Sequence, residues 1–334
     1  MSQAFQFSET DLYEIAYDLR ANREIALKRT YQIPDGAKRW SDIERRDNFA
    51  KDAERNLMRH FAQLLARQSY GSDTIQRDTD GVMRTHVVDF GSGSGETTRA
   101  FLCELHEQGI TPVYHPVDIS QSLLQQCVQT VRQGVPDLIV EPHELDFDRR
   151  DLVFELLREM QQRMLQAHGR RNIIGLFLGN TIGNGDARSL LKNIAGSLDV
   201  ADKLIVGAHQ VAVHNDECID QLEHAYQADE AIHFGFTALE HLNVDRNDGL
   251  VSAKWNAHAH AIEYHFMPHR DLSITVGNQT VELRKNRPIL FAKSAKFGPA
   301  GLTQLISEYP LDINVMQISP DHAQIQTMMT RRPG

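Results

Sequence analysis

A chain of 334 residues with a formal net charge of −10 is long enough to bury a large core, and its acidic balance argues against a nucleic-acid or acidic-membrane partner. No apolar run approaches the ~20 residues of a membrane span, and Met1-Ser2-Gln3-Ala4-Phe5 lacks the basic and apolar regions of a signal peptide, so a cytoplasmic location is expected. Cys103, Cys127 and Cys218 are scattered, with no C-x-x-C pair, which indicates neither a disulfide framework nor a cysteine zinc site.

In chain order, residues from about Glu9 to Arg67 are helical in pattern, with Leu12, Ile15, Ala16 and Leu19 at helical spacing. Pro34-Asp35-Gly36 is expected to break this region, and polar residues from Gly71 to Gly81 to form a loop. The β-branched run Val87-Val88-Asp89-Phe90 then leads into Gly91-Ser92-Gly93-Ser94-Gly95, and a helix begins at Glu96-Thr97-Thr98-Arg99. Glycines serve where a turn needs positive φ or a ligand must press on bare backbone, and the helix N-terminus beyond offers unpaired N–H groups. This is a nucleotide-binding strand–loop–helix at the head of a doubly wound sheet. A dinucleotide fingerprint reads G-x-G-x-x-G, but Glu96 stands where its third glycine belongs, which disfavours a nicotinamide oxidoreductase.

The next strand, Pro112 to Ser120, ends in Asp118, about where a doubly wound fold holds a ribose diol. Ser120 is placed to cap the following helix. A third strand ends near His143-Glu144-Leu145-Asp146-Phe147, with Asp146 assigned to the adenine amino group. Ile173 to Leu178 is a continuous apolar run, as a central parallel strand requires, and Lys203 to Ala208 follows as the next. Helices are expected around Cys218–Tyr226 and Glu230–Leu242, then alternating strands such as Val251–Asn256. His258, His260, His265 and His269 cluster in sequence, but His258-Ala259-His260 reads as part of an alternating strand, and no metal site is assigned. A helix near Gly301–Glu308 and two strands, Ile313–Ile318 and Ala323–Met329, close the chain.

The loop with its preceding acid resembles the first motif of class I S-adenosylmethionine (SAM) methyltransferases, whose cationic ligand suits a carboxylate that pyrophosphate would not. Phe177-Leu178-Gly179-Asn180-Thr181-Ile182-Gly183-Asn184 is similar to the F-L-G-S-T-I-G-N element of the histidine-specific N-α-methyltransferases of ergothioneine biosynthesis. Thr98-Arg99, Pro116-Val117-Asp118-Ile119-Ser120, Asp146-Phe147, Ala225-Tyr226, Lys254-Trp255-Asn256 and Ser294-Ala295-Lys296-Phe297 resemble further elements of that family, in the same order.

The resemblance implies an α/β fold: a class I, Rossmann-like doubly wound sheet with a second α+β substrate domain, and with substrate between the two. The expected divisions are N-terminal helices over 1–68, the SAM-binding core over 69–212, an inserted substrate domain over 213–290, and a return to the core over 291–334. The cofactor is S-adenosyl-L-methionine, with Asp89, Gly91, Ser92, Gly93, Gly95, Thr98, Arg99, Asp118, Asp146, Phe147, Gly179, Asn180 and Thr181 as its candidate contacts. Asn184 and Tyr226 are the candidate catalytic residues. The resemblance has Asn184 contact the acceptor amine or its carboxylate, Tyr226 hold the amino-acid end and Ser294 line the side-chain pocket.

The departures from the family bear on the acceptor. A glutamate that grips the imidazole two residues before the serine is here Ala292, and an F-N-R-N element is Phe234-Gly235-Phe236-Thr237. Phe236 and Ala292 therefore join the expected acceptor pocket, and histidine is a disfavoured substrate. The expected partner is a small amine or amino-acid-like molecule, with no nucleic acid and no membrane. A SAM-binding subunit without catalysis is the alternative.

Overall fold

The computed structural model describes residues 5–46, 48–69, 85–168, 173–211 and 216–333. The chain divides into two compact units, residues 1–46 with 212–295 and residues 47–211 with 296–334. These boundaries fall at 46 and 295, where the sequence suggested 68 and 290. The difference arises because the helix Asn48–Ser69 turns Met58, Phe61 and Leu65 into the same hydrophobic cluster as Phe101 and Leu105 of the helix Glu96–Glu107. The expected loop from Gly71 to Gly81 lies outside the described residues.

In the second unit the strands are β1 (His86–Phe90), β2 (Val113–Asp118), β3 (Ile139–Val140), β4 (His143–Glu144), β5 (Ile173–Phe177) and β6 (Lys203–His209). The first unit then contributes β7 (Gly249–Asn256), β8 (Ala261–Pro268), β9 (Leu272–Val276), β10 (Gln279–Leu283) and β11 (Ile289–Ala295). Last come β12 (Leu311–Ile318) and β13 (Gln324–Arg331) of the second unit. The large sheet runs β12-β13-β6-β5-β1-β2-β3, with β4 also on β2. Strands β1 to β6 pair parallel, whereas β13 is antiparallel to β6 and β12 to β13.

Successive residues of a strand face opposite sides, and the core follows that rule. Val87 packs with the helices Asn48–Ser69, Glu96–Glu107 and Gln121–Gly134, while Val88 packs with Arg150–His168, Ala187–Ser197 and Pro299–Ser307. Covered on both faces, β5 is buried at every position, which is why its sequence is uninterrupted Ile, Gly, Leu and Phe. Because β1 lies between β2 and β5, the chain leaves it in opposite directions. Doubly wound folds bind ligands in the crevice at such a switch point, outside the carboxyl ends of the strands.

Among its described residues, the first unit joins a three-stranded antiparallel sheet, β11-β8-β7, and the hairpin β9–β10 to five α-helices. These are Glu9–Ala21, Lys28–Gln32, Pro34–Arg46, Asp216–Tyr226 and Asp229–His241. Ile15, Leu19, Phe234, Phe236, Phe266 and Phe291 fill its core. Pro34 ends one helix but starts the next, so Asp35 and Gly36 are helical rather than a linker. Proline at a helix start gives up only an N–H that has no partner there. Gly36 is needed because a Cβ would lie 2.0 Å from the Thr30 carbonyl oxygen. Residues 257–260, expected as strand, form the turn of the β7–β8 hairpin with His260 at φ 47°.

Candidate functional site

At the carboxyl end of β1 the buried Asp89 accepts hydrogen bonds on Oδ2 from the Thr98 hydroxyl at 2.6 Å and the Tyr114 hydroxyl at 2.8 Å. Its Oδ1, equally buried, has no hydrogen-bond partner among the described residues, and neither does the buried Ser94 hydroxyl. The glycine loop turns between them, with φ of 75°, 53° and 78° at Gly91, Gly93 and Gly95. Gly95 is required twice over, because a Cβ there would also meet the Cys127 sulfur at 2.8 Å.

Asp118, at the end of β2, holds this loop. Its carboxylate accepts the Gly93 N–H and the Ser120 N–H, each at 3.0 Å. An ionised carboxylate can accept about four hydrogen bonds, so capacity for a diol remains on both oxygens. Burial raises both acids from the usual 3.8 to about 6; hydrogen bonds oppose the rise in each, and neighbouring carboxylates add to it for Asp89.

After β5 the element Phe177–Asn184 lies beside the same loop. A Cβ on Gly91 would meet the Thr181 side chain at 2.9 Å and Phe147 at 3.6 Å, so the ends of β1, β4 and β5 converge on bare backbone. Asn180, in the left-handed region at φ 61°, accepts the His209 N–H at 2.8 Å and acts as a loop brace. Asn184 ends the short helix Thr181–Asn184, half-buried, and its amide makes no hydrogen bond to a described residue. Asp146 accepts the Asp148 N–H at 3.1 Å, and Phe147 packs edge-on to Phe177. Arg99, by contrast, turns outward to Glu96 at 2.7 Å.

Two residues that the sequence reading missed belong to this region. Glu54, on the helix Asn48–Ser69, accepts the Gly179 N–H at 2.8 Å and the Thr97 hydroxyl at 3.2 Å. Its signal was an acid on the apolar stripe shared with Leu57, Met58 and Phe61. Tyr114 was hidden as an ordinary strand aromatic.

In the first unit, the Tyr226 hydroxyl and the Ser294 hydroxyl meet at 3.2 Å. Ala292 and Ser294 share one face of β11, with Ala292 opposite Tyr264 and close to Gly235. Tyr264 lies 6.1 Å from Tyr226 by ring centroid, giving the region an aromatic lining. Phe236 is not part of it. That ring is sealed in the core between Phe266 and Phe291, at 5.3 and 5.4 Å. The helix Asp229–His241 buries the face bearing Phe236 and leaves Gly235 toward Ala292.

The family described as histidine-specific methyltransferase, SAM-dependent, matches residues 15–331. The chain belongs to this methyltransferase family. The 4-dimethylallyltryptophan N-methyltransferase of Aspergillus fumigatus is 26% identical over 255 residues, covering 70% of this chain and 71% of that protein. The histidine N-alpha-methyltransferase of Mycobacterium tuberculosis is 25% identical over 258 residues, covering 71% and 70%. Among solved structures, the SAH-bound magnesium protoporphyrin IX methyltransferase of Synechocystis aligns over 96% of this chain and 99% of its own, at 10% identity and a TM-score of 0.42.

The chain is thus a SAM-dependent methyltransferase with a doubly wound sheet, and its residues fit the cofactor. Orphaned buried oxygens at Asp89 and Ser94, beside glycine backbone with no Cβ, form a cradle suited to a ligand that carries positive charge and hydrogen-bond donors. No helix among the described residues is long and apolar enough to cross a membrane.

Proposed function

We propose that this methyltransferase acts on the nitrogen of a small amine or amino-acid-like acceptor, and that free histidine is not its preferred substrate. The observation that carries the second half is Ala292. It stands two residues before Ser294 on the same face of β11, buried and facing Gly235, where the family resemblance expects an imidazole-gripping glutamate. A methyl group cannot accept the imidazole N–H, and losing such a charged hydrogen bond costs about 1.5–3 kcal/mol, on the order of ten- to a hundredfold in affinity. The names of both curated relatives specify N-methylation, one of a tryptophan derivative and one of histidine. With Tyr226 and Tyr264 beside Ala292, an acceptor with an apolar or aromatic side chain fits better than an imidazole.

In this reading Asp89, Asp118, Ser92, Phe147, Thr181 and the glycines Gly91, Gly93, Gly95 and Gly179 hold the cofactor, Asp118 at its ribose and Asp146 at its adenine. Thr98 and Asn180 act through Asp89 and the loop. When bound, SAM supplies an activated methyl carbon. The chain's own contribution is then positioning, with the amine nitrogen about 3–3.5 Å from that carbon and in line with the departing sulfur. Asn184 orients the amine through its amide. Tyr226, held by Ser294, fixes the amino-acid end, and the amine gives up its proton to solvent before attack. Asp229 is not placed to take that proton, because Arg246 engages it at 2.9 Å on the surface and holds its carboxyl below the usual range.

The test is transfer of an isotopically labelled methyl from SAM to a panel of free amino acids and amines, read by mass spectrometry. A methylated aromatic amino acid or amine, with histidine at least tenfold less efficient by kcat/KM, is expected. Histidine as the best acceptor would overturn the reading.

A further inference from the structure

A row of histidines crosses the large sheet away from the glycine loop. His86 on β1, His115 on β2 and His143 on β4 touch in sequence of strands. His86 Nδ1 lies 2.8 Å from His115 Nε2, and His115 Nδ1 lies 3.1 Å from His143 Nε2. Glu141, between β3 and β4, brings its carboxylate to 3.7 Å from His115 Nδ1. The candidate ligand atoms of His115, Glu141 and His143 all lie within 4.8 Å of one another.

We propose that His115, His143 and Glu141 bind a zinc-like divalent transition cation, through His115 Nδ1, His143 Nε2 and a Glu141 carboxylate oxygen, with water in the fourth position. The dimensions fit. Ligand atoms at about 2.0–2.1 Å from a tetrahedral zinc lie roughly 3.3 Å apart, close to the spacing already present at His115 and its two partners. The donor set of two imidazoles and one carboxylate suits zinc, copper or nickel and not magnesium or calcium.

The scaffold is built before the ion arrives. Glu141 N–H donates to the Tyr114 carbonyl at 2.9 Å, and His143 is in register with Val117 across the β2–β4 pair. Backbone pairing, not a chance rotamer, therefore sets the ligand positions. The His115 side chain is 1% exposed, while Glu141 is 41% exposed, which gives a closed floor and an open mouth. Metal-bound histidines almost always have their other ring nitrogen held. With His115 as its Nε2–H tautomer, that nitrogen would donate to His86 Nδ1 at 2.8 Å and leave the Nδ1 lone pair for the ion. One feature opposes binding. Arg163 reaches Glu141 at 3.4 Å and also pairs with Glu159 at 2.5 Å, so its guanidinium must swing toward Glu159 when the cation enters. His115 precedes Asp118 by three residues on β2. The ion would therefore clamp the short outer strands to the cofactor-holding strand without touching the reacting groups.

Titration of the full-length, chelator-stripped protein with Zn2+ by calorimetry, and with Co2+ followed by its tetrahedral ligand-field absorption, tests this. One equivalent per chain is expected, together with a zinc-dependent rise in melting temperature. His143→Gln and Glu141→Gln should each weaken binding at least tenfold. Arg163→Ala should tighten it, whereas His258→Gln, in the exposed β7–β8 turn, should change nothing. Melting curves and SAM binding without metal show whether each variant is folded, and independently of zinc. No binding by wild type, affinity unaltered in His143→Gln and Glu141→Gln, or weaker binding in Arg163→Ala would overturn the site.

Discussion

Asp89 carries an energetic conflict that a positively charged ligand would relieve. Its Oδ2 is satisfied by Thr98 and Tyr114, but its Oδ1 is buried without a partner among the described residues, and its pKa rises from 3.8 to about 6, as does that of Asp118. An acid whose folded pKa exceeds its unfolded value binds more protons when folded between the two. The ligand-free protein should therefore lose stability as pH rises from about 4 to 6, by roughly 3 kcal/mol for each fully buried group taken alone. Urea midpoints measured between pH 4 and 7 should fall along that window. Asp89→Asn should flatten part of the fall and raise ligand-free stability near neutrality. The same variant removes negative charge from the cofactor's cradle, so SAM affinity should drop about ten- to a hundredfold. A variant that binds SAM normally would show that Asp89 is a loop support with no role in holding the cofactor.

Among the elements, the strand–loop–helix from β1 to Glu107 depends most on a single residue type. Gly95 combines φ of 78° with a would-be Cβ 2.8 Å from the Cys127 sulfur. Gly95→Ala meets a left-handed backbone cost of about 1–2 kcal/mol and an overpacking cost of about 1–3 kcal/mol. Cys127→Ala in the same chain should recover the second part only, so denaturation midpoints of the single and double variants separate strain from collision. Equal loss in both would place the whole cost in the backbone. This element was legible in the sequence because glycine spacing and β-branched runs act locally. The switch point followed from the order of strands. Glu54 was not legible as a partner of Gly179, because 125 residues separate them and only the packing of the helix Asn48–Ser69 joins them. Phe236 was misplaced for the reverse reason: helix phase, not residue type, sets Gly235 against Ala292 and turns Phe236 into the core with Phe266 and Phe291. The His86–His115–His143 row escaped notice because three strands supply one ring each.

At the scale of the whole molecule, the candidate residues segregate by unit. Those assigned to the cofactor lie in the unit of residues 47–211 and 296–334, while Tyr226, Ala292 and Ser294 lie in the unit of residues 1–46 and 212–295. Each unit has its own hydrophobic core, so a change in one need not disturb the packing of the other. Ala292→Glu therefore offers a test with two separate readouts. It places a carboxylate two residues before Ser294, beside Tyr264 and Gly235, and should raise histidine kcat/KM about tenfold or more relative to an aromatic acceptor. SAM affinity should stay within about twofold of wild type, because none of its candidate contacts moves. Stability should fall by about 1–3 kcal/mol, since the added atoms must enter a site that Ala292 already fills to 5% exposure. A variant that remains folded and binds SAM but gains nothing on histidine would show that acceptor choice is set elsewhere than at Ala292.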